Sequence, residues 1–212
     1  MLKIRTFVFA PFMENTYIAY DEESLEAMVI DPGMFIQSDE KLFDEFLRSA
    51  DLKVKYLINT HCHIDHSVGN QHIVNTYKPE YLIPKDDLFL LEMIPEQGKQ
   101  FGIQLETPPP PDGYLDEAVS LTLGNIVCNP ILTPGHTPGE YCLYFPGEKV
   151  CFTGDVLFRE SIGRTDLWGG DYDILLESIR TKLLTLPDDV VIYPGHNEVS
   201  TIGEEKRHNP FL

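Results

Sequence analysis

The chain has 212 residues, 42% apolar and 24% charged, a balance that supports a buried core without a disulfide framework. Its formal charge of −18 repels phosphate backbones and anionic bilayers, so it argues against a nucleic-acid or membrane-surface partner. No apolar run approaches the ~18 residues of a membrane span. The opening segment carries Lys3 and Arg5 and breaks at Pro11, Glu14 and Asn15, which reads as folded strand rather than signal peptide.

Short strands are expected at 4–9, 16–20 and 27–31, the last closed by the turn Asp31-Pro32-Gly33. A helix over 39–50 places Leu42, Phe43, Phe46 and Leu47 on one face, with acids in its first turn. A strand at 55–59 runs into Thr60-His61-Cys62-His63-Ile64-Asp65-His66, followed by a helix over 67–77 and a strand at 80–83. The segment 84–117 breaks this rhythm. A helical piece at 86–93 precedes an irregular stretch and the run Pro108–Pro111, which cannot be helix interior and reads as an extended loop, either a surface insertion or a flap over a site. Strands come next at 118–123, 126–132, 140–145 and 149–153. A helix over 172–185 has the stripe Ile174, Leu175, Ile179 and Leu183, and a strand at 190–193 leads into Pro194-Gly195-His196. No composition break separates domains, so residues 1–212 read as a single α/β domain. The four cysteines form no CxxC pair, and three lie in strand-like runs. They read as buried, reduced thiols of a cytoplasmic protein.

Of seven histidines, His61, His63 and His66 fall in one short segment together with Asp65. In extended chain, His61 and His63 point to the same side. A tightening turn then brings Asp65 and His66 to the same pocket. Imidazole and carboxylate suit zinc, iron and manganese, and four such groups are too many for one open tetrahedral site. They fit two metals sharing the turn. His136, Asp155 and His196 each stand at a strand end beside glycine and complete the pair of sites: two ligands from 61–66 and one later histidine per metal, with Asp155 shared.

The ordered set HxHxDH at 61–66, then His136, Asp155 and His196, resembles the metallo-β-lactamase superfamily. The resemblance implies an α/β fold, the αββα four-layer sandwich. It implies that His61, His63 and His136 bind one metal, that Asp65, His66 and His196 bind the other, and that Asp155 bridges them. The two ions are expected to be zinc, with iron or manganese as alternatives. Cys62 is not required as a ligand and is expected to face the core. Asp65 and Asp155 are the candidate catalytic carboxylates. The run TGDVLFRESIGRTD at 153–166 and the tail from Pro194 to Leu212 are similar to the glyoxalase II group, in particular its short single-domain YcbL-like bacterial branch. Arg164 occupies the position of a basic residue that holds a glutathione carboxylate in that group. Asp166 and Glu198 stand where tyrosines are usual, and the group's extra C-terminal helical domain is not expected here. Lys206 and Arg207 are further candidates for an acidic substrate group.

Two close cations lower the pKa of a bridging water, so the expected chemistry is attack of a metal-bridging hydroxide on a polarised carbonyl. A thiolate leaves without a proton donor, which favours a small-molecule thioester of the hydroxyacylglutathione type, such as S-lactoylglutathione. The alternative is a mononuclear iron persulfide dioxygenase of the same fold. A lactonase and a non-catalytic binding protein are the remaining readings. Nothing in the chain bears on oligomeric state.

Overall fold

The alternating N-terminal segment forms a long antiparallel hairpin, β1 (Leu2–Phe9) against β2 (Glu14–Asp21), in register from Leu2 opposite Asp21 to Phe9 opposite Glu14. Glu14 and Asn15, expected to break the strand, begin β2 instead and are buried in it. The computed structural model describes residues 1–212, which form two compact units: Met1–Tyr114 with Leu123–Ile126, and Leu115–Thr122 with Val127–Leu212.

In the first unit, β3 (Glu26–Ile30) pairs antiparallel with β2. The strands β4 (Lys53–Ile58), β5 (Glu80–Ile83) and β6 (Gly113–Tyr114) then add in parallel, giving a six-stranded sheet in sequence order. Helix α1 (Gln37–Ser49) buries Phe43 and Leu47, four residues apart, and Phe43 meets Phe7 at a ring distance of 5.4 Å. Leu42, expected on this face, is 51% exposed. The helix expected at 67–77 is two helices, α2 (Ile64–Ser67) and α3 (Asn70–Tyr77), interrupted at Gly69. The break lets Asp65 and His66 sit on a short helix of their own. The segment after β5 forms α4 (Leu88–Glu92) and α5 (Ile94–Gln100), with Pro95 in the first turn of α5, where its missing N–H costs no helical bond. The polyproline run beyond has neither helix nor strand, as expected.

A second six-stranded sheet has β7 (Leu121–Leu123), β8 (Ile126–Leu132), β9 (Tyr141–Phe145) and β10 (Val150–Gly154) as neighbours in that order, with β9 antiparallel to both β8 and β10. A small hairpin, β11 (Leu157–Phe158) and β12 (Ser161–Ile162), comes after them. Strand β13 (Val191–Pro194) then pairs parallel to β10, with β14 (Ser200–Thr201) at its edge. Helix α6 (Tyr172–Ser178), capped by the Asp171 carboxylate on the Ile174 N–H, continues as a wider turn to Leu183. Leu175, Ile179 and Leu183 are fully buried at spacings of four, while Ile174, one residue off that stripe, is 47% exposed. Helix α7 (Ile202–His208), which the sequence pattern does not announce, is capped by Thr201 on the Glu204 N–H. All four cysteines are buried free thiols, Cys62 among them. No helix is long and apolar enough to cross a membrane.

Candidate metal centre

Neighbouring parallel strands deliver the residues after their carboxyl ends to one sheet edge, the usual location of sites in such sheets. In the first unit, Asp31 comes directly after β3 and Thr60-His61 shortly after β4, and the Asp31 N–H donates to the Ile58 carbonyl at 3.0 Å. One carboxylate oxygen of Asp31 accepts the Thr60 backbone N–H at 2.7 Å, and the other accepts the Thr60 hydroxyl at 2.6 Å. That second oxygen lies 3.1 Å from His66 Nδ1, which turns His66 Nε2 toward Asp65, 3.8 Å away. A carboxylate on one ring nitrogen is how metal-binding histidines are commonly oriented for coordination through the other. The donor atoms of Asp31, His61 and His66 all lie within 4.8 Å of one another. The rings of His61 and His63 are 4.8 Å apart, and those of His61 and His66 are 4.1 Å apart.

The turn is braced from below. The Cys62 N–H donates to the Asp87 carboxylate at 3.3 Å, and the Ile64 N–H donates to Gln97 Oε1 at 3.0 Å. Gln97 Nε2 in turn donates to the Leu90 carbonyl at 2.8 Å. Asp87 and Gln97 are both buried. The segment expected to be a surface insertion or a flap therefore supports the histidine turn with two buried polar side chains. The Asn59 amide adds a bond to the His66 carbonyl at 2.7 Å.

Behind the same turn, the Gly33 N–H donates to Thr16 Oγ1, and the Thr16 hydroxyl donates to Glu14 Oε2, both at 2.8 Å. Burial pushes the Glu14 carboxyl well above its ordinary 4.5, with the His66 charge opposing and the Asp31 charge adding. A carboxyl with a raised folded pKa binds its proton more readily in the native state. The chelated, metal-free protein is therefore expected to lose stability as pH rises above 4.5, by at most ~1.4 kcal/mol per pH unit from this one proton. Denaturant midpoints at about pH 5 and about pH 8 should converge in Glu14→Gln. An identical pH dependence in the two proteins would remove Glu14 as its source.

In the second unit, Asp155 comes directly after β10 and His196 shortly after β13, again at the carboxyl ends of parallel neighbours. The Gly195 N–H donates to the Gly154 carbonyl at 2.7 Å. Asp155 Oδ2 lies 3.6 Å from His136 Nε2 and 3.7 Å from His196 Nε2. Donor atoms on one tetrahedral ion at ~2.0–2.1 Å stand about 3.4 Å apart, so these separations fit cation ligands better than direct hydrogen bonds. His136 Nδ1–H donates to the Arg164 carbonyl at 2.7 Å, which leaves the Nε2 lone pair facing a carboxylate. A cation placed between this nitrogen and the carboxylate oxygen would draw on both. The donor chemistry of both units fits divalent metal.

The close packing under Asp155 also explains a glycine. A Cβ at Gly163 would stand 1.8 Å from the Asp155 carbonyl oxygen, so any side chain there displaces the backbone of Asp155.

The sequence pattern singled out seven candidate donors but not Asp31, Asp87, Gln97 and Glu140, all buried polar residues near them. Asp31 had a signal in its place at the end of a strand; the other three had none. The Arg164 guanidinium, expected on a substrate carboxylate, forks Asp166 at 2.7 and 2.8 Å, and both residues are exposed. Lys206 and Arg207 pair with Asp188 and Glu204, each at 2.6 Å.

Residues 10–196 match the model of the metallo-β-lactamase superfamily. The chain is 40% identical over 203 residues to the hydroxyacylglutathione hydrolase GloC of Haemophilus influenzae, covering 95% of this chain and 93% of that one. It is 33% identical over 202 residues to the mitochondrial persulfide dioxygenase ETHE1 of Bos taurus, covering 93% and 70%. The crystal structure of the B3 metallo-β-lactamase BLEG-1 superposes with a TM-score of 0.90 at 35% identity, covering 99% of each chain. The expected α/β fold class is thus the fold of this chain. With a buried histidine turn, imidazoles paired around Asp155 and a family match over most of its length, the chain belongs to the metallo-β-lactamase superfamily.

Proposed function

We propose that the two units act as one domain, a metal-dependent thioester hydrolase for small hydroxyacylglutathione-type substrates. The observation that carries this reading is Asp155 Oδ2 flanked by two imidazole nitrogens at 3.6 and 3.7 Å, in a chain 40% identical to a hydroxyacylglutathione hydrolase. His61, His63 and His136 would hold one ion, Asp65, His66 and His196 the other, with Asp155 shared. Zinc suits this set, as do iron and manganese. Bound ions supply a nucleophilic water of lowered pKa and positive charge for the carbonyl oxygen.

The chain's own residues do the remaining work. The Asp31 carboxylate stands 3.1 Å from His66 Nδ1, and the Arg164 carbonyl accepts from His136 Nδ1, which leaves both Nε2 atoms for a metal. Asp65 is partly exposed and keeps a carboxylate oxygen within reach of solvent, where it can take a proton from the attacking water. No proton donor is needed for a thiolate leaving group. Arg164 is the proposed contact for a substrate carboxylate, which would take the place of Asp166 on the guanidinium fork. The four buried thiols and the net charge of −18 support a cytoplasmic enzyme acting on a small molecule rather than on nucleic acid or a bilayer.

Purified protein with its metals quantified should hydrolyse S-lactoylglutathione and simpler thioesters. A metal-loaded protein inert toward every thioester would remove the proposal. The similarity to a persulfide dioxygenase keeps one second reading, iron-dependent oxidation of a persulfide. A single iron per chain, with oxygen consumed on glutathione persulfide, would establish that reading instead.

A further inference from the structure

We propose that Glu140 is a positioning residue for Asp155, holding the shared carboxylate in place through its backbone. Glu140 is fully buried, and its Oε1 accepts the Asp155 N–H at 2.7 Å. A buried carboxylate costs several kcal/mol unless its hydrogen bonds compensate, so its retention at the foot of a candidate ligand calls for a role.

That role comes from the backbone. Strand β10 ends at Gly154, whose φ of +48° swings the chain out of the ladder. The next amide, that of Asp155, leaves the sheet with no strand partner to accept it. A buried N–H without an acceptor costs about 1–3 kcal/mol and leaves the peptide plane free to rotate. Glu140 supplies the acceptor, 2.7 Å from the nitrogen. With the peptide plane fixed, the direction of the Asp155 side chain is fixed too.

Glu140 is also tied to the loop that carries His136. Its carbonyl accepts the Thr133 N–H at 2.7 Å, and the Gly135 N–H donates to the Thr137 carbonyl at 2.9 Å. Its main chain thus closes the 133–140 loop, while its side chain reaches Asp155. One residue sets the separation of two donors that stand 3.6 Å apart. Nothing in the hydrogen bond itself needs a negative charge, because a glutamine carbonyl at the same length would accept the same N–H. An aspartate keeps the charge but withdraws the acceptor by one methylene.

This inference rests on Asp155 being a metal ligand, and the experiment separates the two. Wild type, Glu140→Gln and Glu140→Asp are stripped, reloaded with zinc, and titrated against a chromophoric chelator, with unfolding of the stripped forms measured alongside. Glu140→Asp should lose about 10–100-fold in zinc affinity, the usual cost of losing a supporting contact around a ligand. Glu140→Gln should stay within about threefold of wild type. Equal affinity in wild type and Glu140→Asp would overturn the positioning role. So would a Glu140→Gln as weak as Glu140→Asp, because an acceptor kept at full length would then not preserve the site. A wild type that takes up no zinc would instead sink the metal site itself.

Discussion

Asp155→Ala is expected to abolish thioester turnover, by about 10³-fold or more, and to lower the bound metal per chain. The carboxylate oxygen between His136 and His196, 3.6 and 3.7 Å from their nitrogens, is the one negative donor common to both imidazoles. Without it, the two proposed sites lose the negative donor they share. A bound cation stabilises developing charge by several kcal/mol, and ~4 kcal/mol corresponds to about 10³ in rate. Steady-state rates and elemental analysis on the same preparations check this. His208→Ala is the control: His208 is 60% exposed, pairs only with Glu204, and should leave both quantities unchanged. Full turnover in Asp155→Ala would remove this residue from the mechanism.

The second large effect is on stability. Asp31→Ala should destabilise the metal-free protein by about 3–5 kcal/mol. Removing this carboxylate strands the Thr60 N–H and the Thr60 hydroxyl in a buried position and releases His66. Asp31 also sits at a φ of +51°, which alanine tolerates less well than aspartate. Asp31→Asn keeps the acceptor for the Thr60 N–H and should cost less than half as much. Denaturant unfolding in the presence of a chelator measures both variants. A loss under about 1 kcal/mol in Asp31→Ala would mean that the turn stands without this network.

Metal chemistry was legible because its signal is local. His61, His63, Asp65 and His66 fall in one turn, so their chemistry and spacing could be read without knowing where the rest of the chain goes. Strand ends marked by glycine did the same for His136, Asp155 and His196. The strands themselves were legible by alternation, and the buried stripe of α6 by its spacing of four.

The surroundings of the donors were not legible, because burial of a single polar residue leaves no pattern in its neighbours. Asp87 lies in the expected helical piece and Gln97 in the irregular stretch after it, yet they accept the N–H groups of Cys62 and Ile64 from 25 and 33 residues away. Glu140 looks like any glutamate at the start of a strand until the register of β9 and β10 brings it under the amide of Asp155. Leu42 and Ile174 went the other way: apolar, adjacent to a stripe, and solvent-exposed, since one helical residue is a rotation of 100°. Residue type and spacing alone marked out the atoms that can grip a metal. The folded chain was needed to show what holds those atoms still, because a hydrogen bond between distant residues depends on strand pairing and not on the identity of either partner.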